Sequence, residues 1–547
     1  MNYRYVAYQL GLILLVLAAA LGLTTGVELV GFGWDAGERL AVAALGVATL
    51  LTGLAGAALW YAGRAKVAAT LHRRDALLLV ALSWLVGAGL AATPYYVWGQ
   101  LGGPGYVAQA MEAAAEVDQS PQAQVAVLAE FAPPPPRHPF MSPVACYFEA
   151  MSGLTTTGAT VLGGAPNDIA SLPHGLLLWR ALTHWLGGLG IVVLFVAVLP
   201  MIGGGGKRLF QAEAPGPQSP GVRPRIRETA RVLWMIYLLI TVAAVGSYRA
   251  VGMGWFDSFC HAFSVVSTGG LSTRDASMGA YGSLGVDVVS MVFMLLAGVN
   301  FGLMFLLVRG RWRDALGDEE LRVYLALKGV VILVVAANLY GREIVTTAGA
   351  TLEAGVGTAL RFAGFQTIAL HTGTGFTTAD YDRWPFLSRA LLVGLMFIGG
   401  CAGSTAGGIK VIRFWITLKV LAASLERSFR PRVVRPLRVG KTVVDEDSKL
   451  GALTYCLFVL VLVAGGALLI GVFESKGGET VDFLTAATAS LSTLGNIGPG
   501  FNGVGATQNY GWFSSPSLAL MSLLMLLGRL EIYAFAVLFL PRFWRGD

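Results

Sequence analysis

Long apolar runs recur along the whole chain, and they constrain its fold more than any other feature. About ten such runs are present: near 6–28, 40–62, 75–98, 174–202, 229–252, 285–309, 319–340, 386–416, 450–473 and 515–540. A helix of roughly 20 apolar residues crosses the hydrocarbon core of a bilayer. Because lipid offers no partner for backbone polar groups, helices are the expected form of these runs. The sequence therefore predicts an all-α polytopic membrane protein with about ten transmembrane helices.

The composition favours the same class. Charged residues make up 13% of the chain and hydrophobic residues 55%, whereas soluble domains carry about 25% charged residues. The first run lacks a small-residue cleavage pattern and is long enough to remain as a span. The chain has four cysteines without metal-ligand spacing, and we expect small buried residues rather than ligands: Cys146, Cys260, Cys401 and Cys456.

Basic residues concentrate in alternate loops. Lysine and arginine are frequent at 63–74, 204–231, 309–322 and 417–449, and sparse in the loops between them. Basic loops of membrane proteins face the cytoplasm. This pattern predicts that both termini are cytoplasmic, and it accounts for the net charge of +7 without nucleic-acid binding.

Four short glycine-centred loops form the second strong pattern. They are Thr156-Thr157-Gly158-Ala159-Thr160, Ser267-Thr268-Gly269-Gly270-Leu271, Gly373-Thr374-Gly375-Phe376-Thr377 and Asn496-Ile497-Gly498-Pro499-Gly500. Each lies between two apolar segments, and the central glycines Gly158, Gly269, Gly375 and Gly498 are 111, 106 and 123 residues apart. The candidate site residues are Thr156, Thr157, Gly158, Ser267, Thr268, Gly269, Gly373, Thr374, Gly375, Asn496, Ile497 and Gly498.

A glycine loop at membrane depth points to a pore. Irregular backbone survives there only where it lines a cavity or is buried in protein. Potassium filters use such loops, because their backbone carbonyls replace the water of the ion and glycine tolerates the required backbone angles. One loop alone would equally fit a tight turn, but four at similar spacing predict a fourfold ring. Ile497 stands in the fourth loop where Thr157, Thr268 and Thr374 precede the other glycines, so the ring is predicted to be chemically unequal.

The apolar stretch before each loop is too short to cross a bilayer and predicts a re-entrant helix. Phe148, Phe259 and Phe365 each lie ten residues before the central glycine, whereas Phe483 lies fifteen before its own. We therefore expect a longer or kinked helix in the fourth repeat. The predicted divisions are 1–74 (two peripheral N-terminal helices), 75–228 (pore repeat 1), 229–318 (repeat 2), 319–445 (repeat 3, with a gating loop) and 446–547 (repeat 4).

A run of small residues, Gly399 to Lys410, interrupts the eighth apolar run. Each glycine inside a helix costs about 1 kcal/mol relative to alanine, so the run predicts a broken helix and a movable gate. A close helix-packing face is the alternative. The candidate gate residues are Gly399, Gly400, Gly403, Ser404, Thr405, Gly407, Gly408 and Lys410.

Arg529 and Glu531 lie inside the last apolar run. Charges within a membrane are costly and mark function by default. Arg529 is predicted to face the pore and to hinder cations. The alternatives are a structural ion pair with Glu531 or a side chain that reaches the inner membrane surface.

Several other polar residues are expected to have structural roles. His184, His261 and His371 are expected to be packed or hydrogen-bonded, Asn300 to bond between helices, and Arg180 and Trp185 to be interfacial and packing residues. The outer loop 98–140, with Pro133 to Pro136, is expected to be a spacer or lid.

Together these segments resemble the Trk/Ktr/HKT superfamily of cation transporters. The four glycine loops are similar to its filter motifs, the Gly399–Lys410 run to its gating loop, and Arg529 to its pore arginine. The segments Trp185-Leu186-Gly187-Gly188-Leu189-Gly190 and Glu213-Ala214-Pro215-Gly216-Pro217 and the two N-terminal spans resemble the bacterial Trk-type membrane subunit.

The resemblance implies four pseudo-symmetric repeats around one central pore, a homodimer in the bacterial inner membrane, and K⁺ as the transported ion. Rb⁺ is expected to pass as well, and no organic cofactor is expected. A separate cytosolic nucleotide-binding subunit is implied as regulatory partner, and the basic stretch Arg427 to Lys441 is a candidate surface for it or for anionic lipid. Glycine at every central filter position favours potassium over sodium.

Three alternatives remain open from the sequence. One is a weakly selective K⁺/Na⁺ channel or an ion-coupled symporter. Another is a polytopic membrane enzyme, although no cluster of histidine, cysteine or acidic residues at one membrane level points to catalysis. The third is a scaffold with a closed filter.

Overall fold

The computed structural model describes residues 1–32, 35–64, 73–102, 138–164, 167–197, 226–431, 436–440, 442–476, 481–530 and 532–545. Helices account for most of these residues, which confirms the all-α class. Several predicted features lie outside them: Pro133–Pro136 and most of the outer loop, the 213–217 segment, Glu531, and Arg432, Arg435 and Lys441 of the basic stretch.

The first part of the chain contains the N-terminal helices and the first two glycine loops. Its helices are α1 (Tyr3–Gly31), α2 (Ala36–Gly63), α3 (Arg73–Ala91), α4 (Pro143–Leu154), α5 (His174–Ala197), α6 (Ile226–Ala250), α7 (Trp255–Val266), α8 (Leu284–Ala297), α9 (Phe301–Val308) and α10 (Trp312–Leu316). Beyond α3 the chain is again helical over 93–102.

The second part contains the third and fourth glycine loops. Its helices are α11 (Glu319–Leu339), α12 (Val356–His371), α13 (Phe386–Met396), α14 (Val411–Phe429), α15 (Glu446–Lys476), α16 (Phe483–Gly495), α17 (Ser515–Arg529), α18 (Tyr533–Ala536) and α19 (Pro541–Trp544). Two antiparallel hairpins pair β1 (Glu343–Val345) with β2 (Thr351–Glu353) and β3 (Arg438–Val439) with β4 (Thr442–Val443).

Five helices within the described residues are long and apolar enough to cross a membrane: Tyr3–Gly31, Gly37–Gly63, Arg74–Gly102, Arg231–Ala250 and Glu446–Ser475. The pair α8 and α9 would make a sixth span, bent by 104°. Their outward faces are apolar, with Leu54 68% and Leu468 72% exposed, as expected of surfaces that contact lipid.

Three of the apolar runs are broken, and one of these breaks lies at the small-residue run, where a broken helix was predicted. The 285–309 run bends between Ala297 and Phe301, the 386–416 run is non-helical from 397 to 410, and the last run leaves the helix after Arg529. Asn300 is the N-cap of α9 at the first break, where its side-chain Oδ1 accepts the N–H of Gly302 at 2.7 Å. Hydropathy did not reveal the first and third breaks, because the residues on both sides remain apolar.

The N-terminal helices α1 and α2 pack against each other through glycines. A Cβ at Gly56 would lie 3.0 Å from the backbone nitrogen of Leu15, and one at Gly63 would lie 2.6 Å from the carbonyl oxygen of Arg4. Small residues of this kind allow membrane helices to approach closely. One contact of the pair with the rest of the protein is at Glu38, whose carboxylate lies 2.8 Å from Nδ1 of His174 on α5.

A short helix precedes each glycine loop. These helices are α4, α7, α12 and α16, with 12, 12, 16 and 13 residues. The fourth is a single helix close in length to the first two, so the prediction of a longer or kinked fourth helix is wrong. The third is the longest. The division of the chain into repeats at 75, 229, 319 and 446 stays a prediction.

Candidate functional site

The four glycine loops meet in a closed ring. In each loop, a Cβ added to one glycine would overlap or crowd a backbone carbonyl oxygen of the next loop. The glycine and the residue whose carbonyl oxygen it would approach are Gly158 and Gly269, Gly270 and Thr374, Gly375 and Ile497, and Gly498 and Thr157, the last at 2.8 Å. The contacts run from the first loop through the second, third and fourth and back to the first. Only glycine fits at these four positions without displacing the neighbouring backbone.

Backbone angles show which loop residues are equivalent. Each loop has a left-handed residue followed two positions later by a left-handed glycine: Thr156 and Gly158, Thr268 and Gly270, Gly373 and Gly375, Asn496 and Gly498. The N–H between them donates to a carbonyl five residues earlier: Thr157 to Ser152, Gly269 to Ser264, Thr374 to Ala369, and Ile497 to Ser492.

The central glycine of the second loop is therefore Gly270, and the prediction of Gly269 is wrong by one residue. Two glycines are adjacent there, and spacing alone did not distinguish them. The central glycines lie 112, 105 and 123 residues apart (158 to 270, 270 to 375, 375 to 498). Ser267 ends α7, one position before the left-handed Thr268.

The corrected register also removes one predicted repeat feature. Phe148 and Phe365 are fully buried, but Phe259 is 44% exposed. The residue ten positions before Gly270 is Cys260, which is buried. The shared position is therefore a buried one, and the match of Phe259 was fortuitous.

The ring has a twofold pattern in its side chains. Thr157 and Thr374 precede the central glycines of loops one and three, and their hydroxyls lie 2.8 Å from those of Thr155 and Thr372. Gly269 and Ile497 hold this position in loops two and four. The predicted inequality thus exists, but it alternates around the ring rather than setting the fourth loop apart.

Two buried polar atoms at the start of the ring lack a hydrogen-bond partner among the described residues. They are Oγ1 of Thr156 and Oδ1 of Asn496, at equivalent positions in the first and fourth loops. The amide nitrogen of Asn496 donates to Oγ1 of Thr157 and to the carbonyl of Met525, both at 3.0 Å. Since buried polar groups normally have partners, these oxygens suit a bound water or cation.

The small-residue run forms a loop between α13 and α14 (residues 397–410), hereafter called the gate loop after its predicted role. Its ends are joined where Gly399 N–H donates to the carbonyl of Ile409 at 2.5 Å and Val411 N–H to that of Gly400 at 3.1 Å. One Glu320 carboxylate oxygen accepts the N–H groups of Ala402 and Ile412 at 2.8 and 3.1 Å.

The gate loop lies against the residues that begin the ring. Oγ1 of Thr268 donates to Oγ1 of Thr405 at 3.4 Å, and Oγ1 of Thr405 donates towards the carbonyls of Val266 and Ala297. A Cβ at Gly407 would overlap the carbonyl of Gly495. Packing therefore explains part of the glycine content, but the loop also contacts residues at the start of the second and fourth glycine loops.

The gate loop is also bonded to the break between α8 and α9. Cys401 N–H donates to the carbonyl of Gly298 at 2.9 Å, and Phe301 N–H donates to that of Gly403 at 3.2 Å. The buried Lys410 is turned inward, and its Nζ donates to the carbonyl of Ala406 at 2.8 Å.

Arg529 is buried at the end of α17 and contacts the gate loop. Nη1 donates to the carbonyl of Thr405 at 2.7 Å, and Nη2 to that of Gly187 on α5 at 3.1 Å. Its Nε has no partner among the described residues. Glu531, its partner in the alternative of a structural ion pair, lies outside those residues.

The histidines bond within the protein, as predicted. His184 on α5 bonds the carbonyl of Gly153 through Nδ1 at 2.7 Å and accepts the N–H of Leu271 through Nε2 at 3.2 Å. His261 contacts Ser272, and His371 contacts the buried Lys328 at 2.8 Å. Within the described residues, no group of three or more histidine, cysteine or acidic side chains is arranged to hold a metal ion.

Arg180 differs from its prediction as an interfacial residue. It is 1% exposed and forms an ion pair with the fully buried Glu149. Sequence reasoning did not consider Glu149 at all. A carboxylate in the apolar stretch before the first loop is the signal that could have indicated this pair. Trp185 packs on Tyr237 and Phe263, as predicted.

Comparisons with known proteins identify the family of the chain. The model of the family described as "TrkH: Cation transport protein" matches residues 138–545. The chain belongs to the TrkH family.

Relatives of the TrkH family match over most of the chain. The "Trk system potassium uptake protein TrkH" of Salmonella typhimurium is 38% identical over 413 residues, covering 73% of this chain and 79% of the relative. The "Trk system potassium uptake protein TrkG" of Escherichia coli is 35% identical over 402 residues, covering 73% and 78%. The crystal structure of the potassium transporter TrkH from Vibrio parahaemolyticus superposes with a TM-score of 0.80 at 29% identity, covering all of both chains.

Proposed function

We propose that this TrkH family member conducts K⁺ across the bacterial inner membrane through the ring of glycine loops. The observation that carries the proposal is the closed ring of contacts, in which each central glycine lies against a carbonyl of the next loop. Carbonyl rings compensate the dehydration of potassium. The names of the relatives, potassium uptake proteins and a potassium transporter, support the same ion.

The proposed filter comprises the ring residues, with Gly270 in place of Gly269 as the central glycine of the second loop. Ions enter from outside, lose water at the ring and continue towards the cytoplasm. The membrane potential supplies about 2.3 kcal/mol per charge for each 100 mV. We expect Rb⁺ to follow the same path.

The gate loop and Arg529 form the proposed gate. The contact of Thr405 with Thr268 supports this role, because the loop lies directly against the start of the ring. The Arg529–Thr405 bond supports it further, since a buried guanidinium next to the ion path opposes a cation. Opening requires the gate loop to leave this position.

The proposed assembly is a homodimer with both termini in the cytoplasm, regulated by a separate nucleotide-binding subunit. The relatives' designation as parts of a "Trk system" supports further components. Exposed Arg427 and Arg430 at the end of α14 belong to the proposed docking surface.

Cation flux into proteoliposomes tests the proposal. The purified chain is reconstituted alone, and K⁺, Rb⁺ and Na⁺ are compared under an imposed potential. K⁺ and Rb⁺ flux well above Na⁺ flux supports a selective filter. Equal fluxes favour the weakly selective channel, and flux that follows a proton or sodium gradient favours a symporter. If neither the wild type nor a variant with a shortened gate loop conducts, the ring is not a conduction path.

A further inference from the structure

The corrected register reveals a shared position on the short helices. Nine residues before the central glycine stand Glu149, His261, Gln366 and Ala489 in the four repeats. The first three side chains reach forward to the loop segment that follows their own glycine. We call these three side chains the braces.

Each brace bonds the second or third residue after its glycine. Glu149 accepts from Oγ1 of Thr160 at 2.9 Å and from the N–H of Val161 at 3.0 Å. His261 Nε2 lies 2.9 Å from Oγ of Ser272. The amide of Gln366, oriented to satisfy its neighbours, accepts the N–H of Thr378 at 2.8 Å. In the fourth repeat the neighbouring Thr488 accepts the N–H of Phe501 at 2.9 Å.

The first brace alone is a carboxylate paired with arginine. Arg180 Nε and Nη2 both lie 2.8 Å from the same oxygen of Glu149. The Arg180 side chain is 1% exposed and that of Glu149 is fully buried. Charge-assisted bonds of this kind are stronger and shorter than neutral ones.

Arg180 extends the first brace to the second loop. Its Nη2 donates to Oγ1 of Thr160 at 3.1 Å, and its Nη1 donates to the carbonyl of Ser272 at 3.3 Å. Thr160 and Ser272 each stand two residues after their central glycine. One turn further along α5, His184 also joins the first repeat to the second loop. The guanidinium thus bonds equivalent positions of two adjacent loops.

We propose that the Glu149–Arg180 pair is a positioning device that sets the spacing between the first and second filter loops and thereby the discrimination between K⁺ and Na⁺. The inference rests on the proposed filter function. Neither residue belongs to the glycine loops of the proposed filter. They act through Thr160, Val161 and Ser272, which continue the loop backbone immediately beyond the ring.

The physical reason is the dependence of ion selection on the geometry of the carbonyl ring. Cavity size or the number and field of the carbonyls sets the preference, and both change when two adjacent loops separate. The pair is suited to resist this change, because a planar guanidinium holds several acceptors in a fixed arrangement. Lysine retains the charge but not that geometry.

The test uses Arg180→Lys and Glu149→Gln in the full-length protein, with Asp287→Asn as the matched control. Asp287 is a buried carboxylate that pairs with Arg361 at 2.7 Å, a pair that joins α8 to α12 rather than to a glycine loop. Arg180→Lys keeps a positive charge for the ion pair but loses the planar guanidinium that holds several acceptors. Glu149→Gln introduces the residue type that the third repeat has at this position, Gln366. Folding is checked by gel filtration and thermal stability.

The readout is the K⁺/Na⁺ flux ratio in proteoliposomes. We expect both variants to lower it by about tenfold, a factor equivalent to roughly 1.4 kcal/mol. Asp287→Asn is expected to keep the wild-type ratio, whatever its effect on thermal stability.

Three results would overturn the inference. A K⁺/Na⁺ flux ratio near one in the wild type would refute the proposed filter function itself. A selective wild type with unchanged ratios in well-folded Arg180→Lys and Glu149→Gln would leave the filter standing and refute the positioning role. An equal loss of ratio in Asp287→Asn would mean that general destabilisation, not this pair, alters selection.

Discussion

Arg529 donates a hydrogen bond to the backbone carbonyl of Thr405 at 2.7 Å, which joins the end of α17 to the gate loop between α13 and α14. The two residues are 124 positions apart in sequence. Thr405 is in turn bonded to Thr268 at the start of the ring. A change at Arg529 is therefore transmitted to the gate loop by one direct contact.

Replacing Arg529 with alanine should increase cation flux. The substitution removes the bond to Thr405 and a buried positive charge next to the proposed ion path. A hydrogen bond to a charged group contributes roughly 1.5–3 kcal/mol, so a tenfold or larger rise is expected. Flux of reconstituted protein measures it. Arg529→Lys is the control that retains the charge, and a misfolded Arg529→Ala with no flux would instead indicate a structural role.

Replacing Gly270 with alanine should lower the K⁺/Na⁺ ratio by about an order of magnitude. Gly270 has φ +83°, and an added Cβ would overlap the carbonyl oxygen of Thr374, so the carbonyl must move. Gly282→Ala is the matched control, because Gly282 also has positive φ but open space around its Cβ. A normal ratio in well-folded Gly270→Ala would argue that the second loop does not select ions.

Gly269→Ser is expected to weaken selectivity by a different contact. A Cβ at Gly269 would overlap the imidazole of His184, which bonds both the first repeat and Leu271. The K⁺/Na⁺ flux ratios of Gly269→Ser and Gly270→Ala are compared. The comparison distinguishes the effect of moving His184 from the effect of moving the Thr374 carbonyl in the ring. An unaltered ratio in Gly269→Ser would show that the His184 contact tolerates the larger side chain.

Shortening the gate loop by Ser404, Thr405 and Ala406 should raise basal flux. The deletion removes the bonds to Thr268 and Arg529 that hold the loop against the ring. Thr405→Ser keeps the hydroxyl and the backbone carbonyl and serves as the control. Unchanged flux in a folded deletion variant would assign the loop to helix packing.

Asp382 should make stability depend on pH. Burial raises its pKa from 3.8 to about 6, with a further rise from Asp380, although the N–H of Asn502 lowers it. Because the folded-state pKa is the higher one, the stabilisation from protonation is complete below about pH 3.8 and is lost as the pH rises through 6.

Asp382→Asn should therefore melt at a higher temperature than the wild type at pH 7, and this difference should shrink as the pH falls towards 4. Thermal unfolding in detergent between pH 4 and pH 7 measures this difference in melting temperature. Asp314→Asn, at an exposed aspartate, is the control. A difference that does not vary with pH would contradict the assignment to Asp382.

Local patterns in the sequence predicted most of the residues in the proposed site. Four glycine loops between apolar segments, the small-residue run and the arginine of the last run are local patterns, and the structure brings all three together. The error at Gly269 has a local cause, because two adjacent glycines satisfy the same spacing. The breaks at Asn300 and after Arg529 were missed, since apolar composition persists across them.

By itself, the sequence determined the helical membrane class, because long apolar runs can satisfy their backbone only as helices in lipid. It also determined where glycine is concentrated. Only the tertiary structure decided that Gly158 lies beside Gly269 and that Gly270, not Gly269, is the ring glycine. It alone paired Arg180 with Glu149 and Arg529 with Thr405. These contacts join residues distant along the chain, so no local periodicity or propensity contains them.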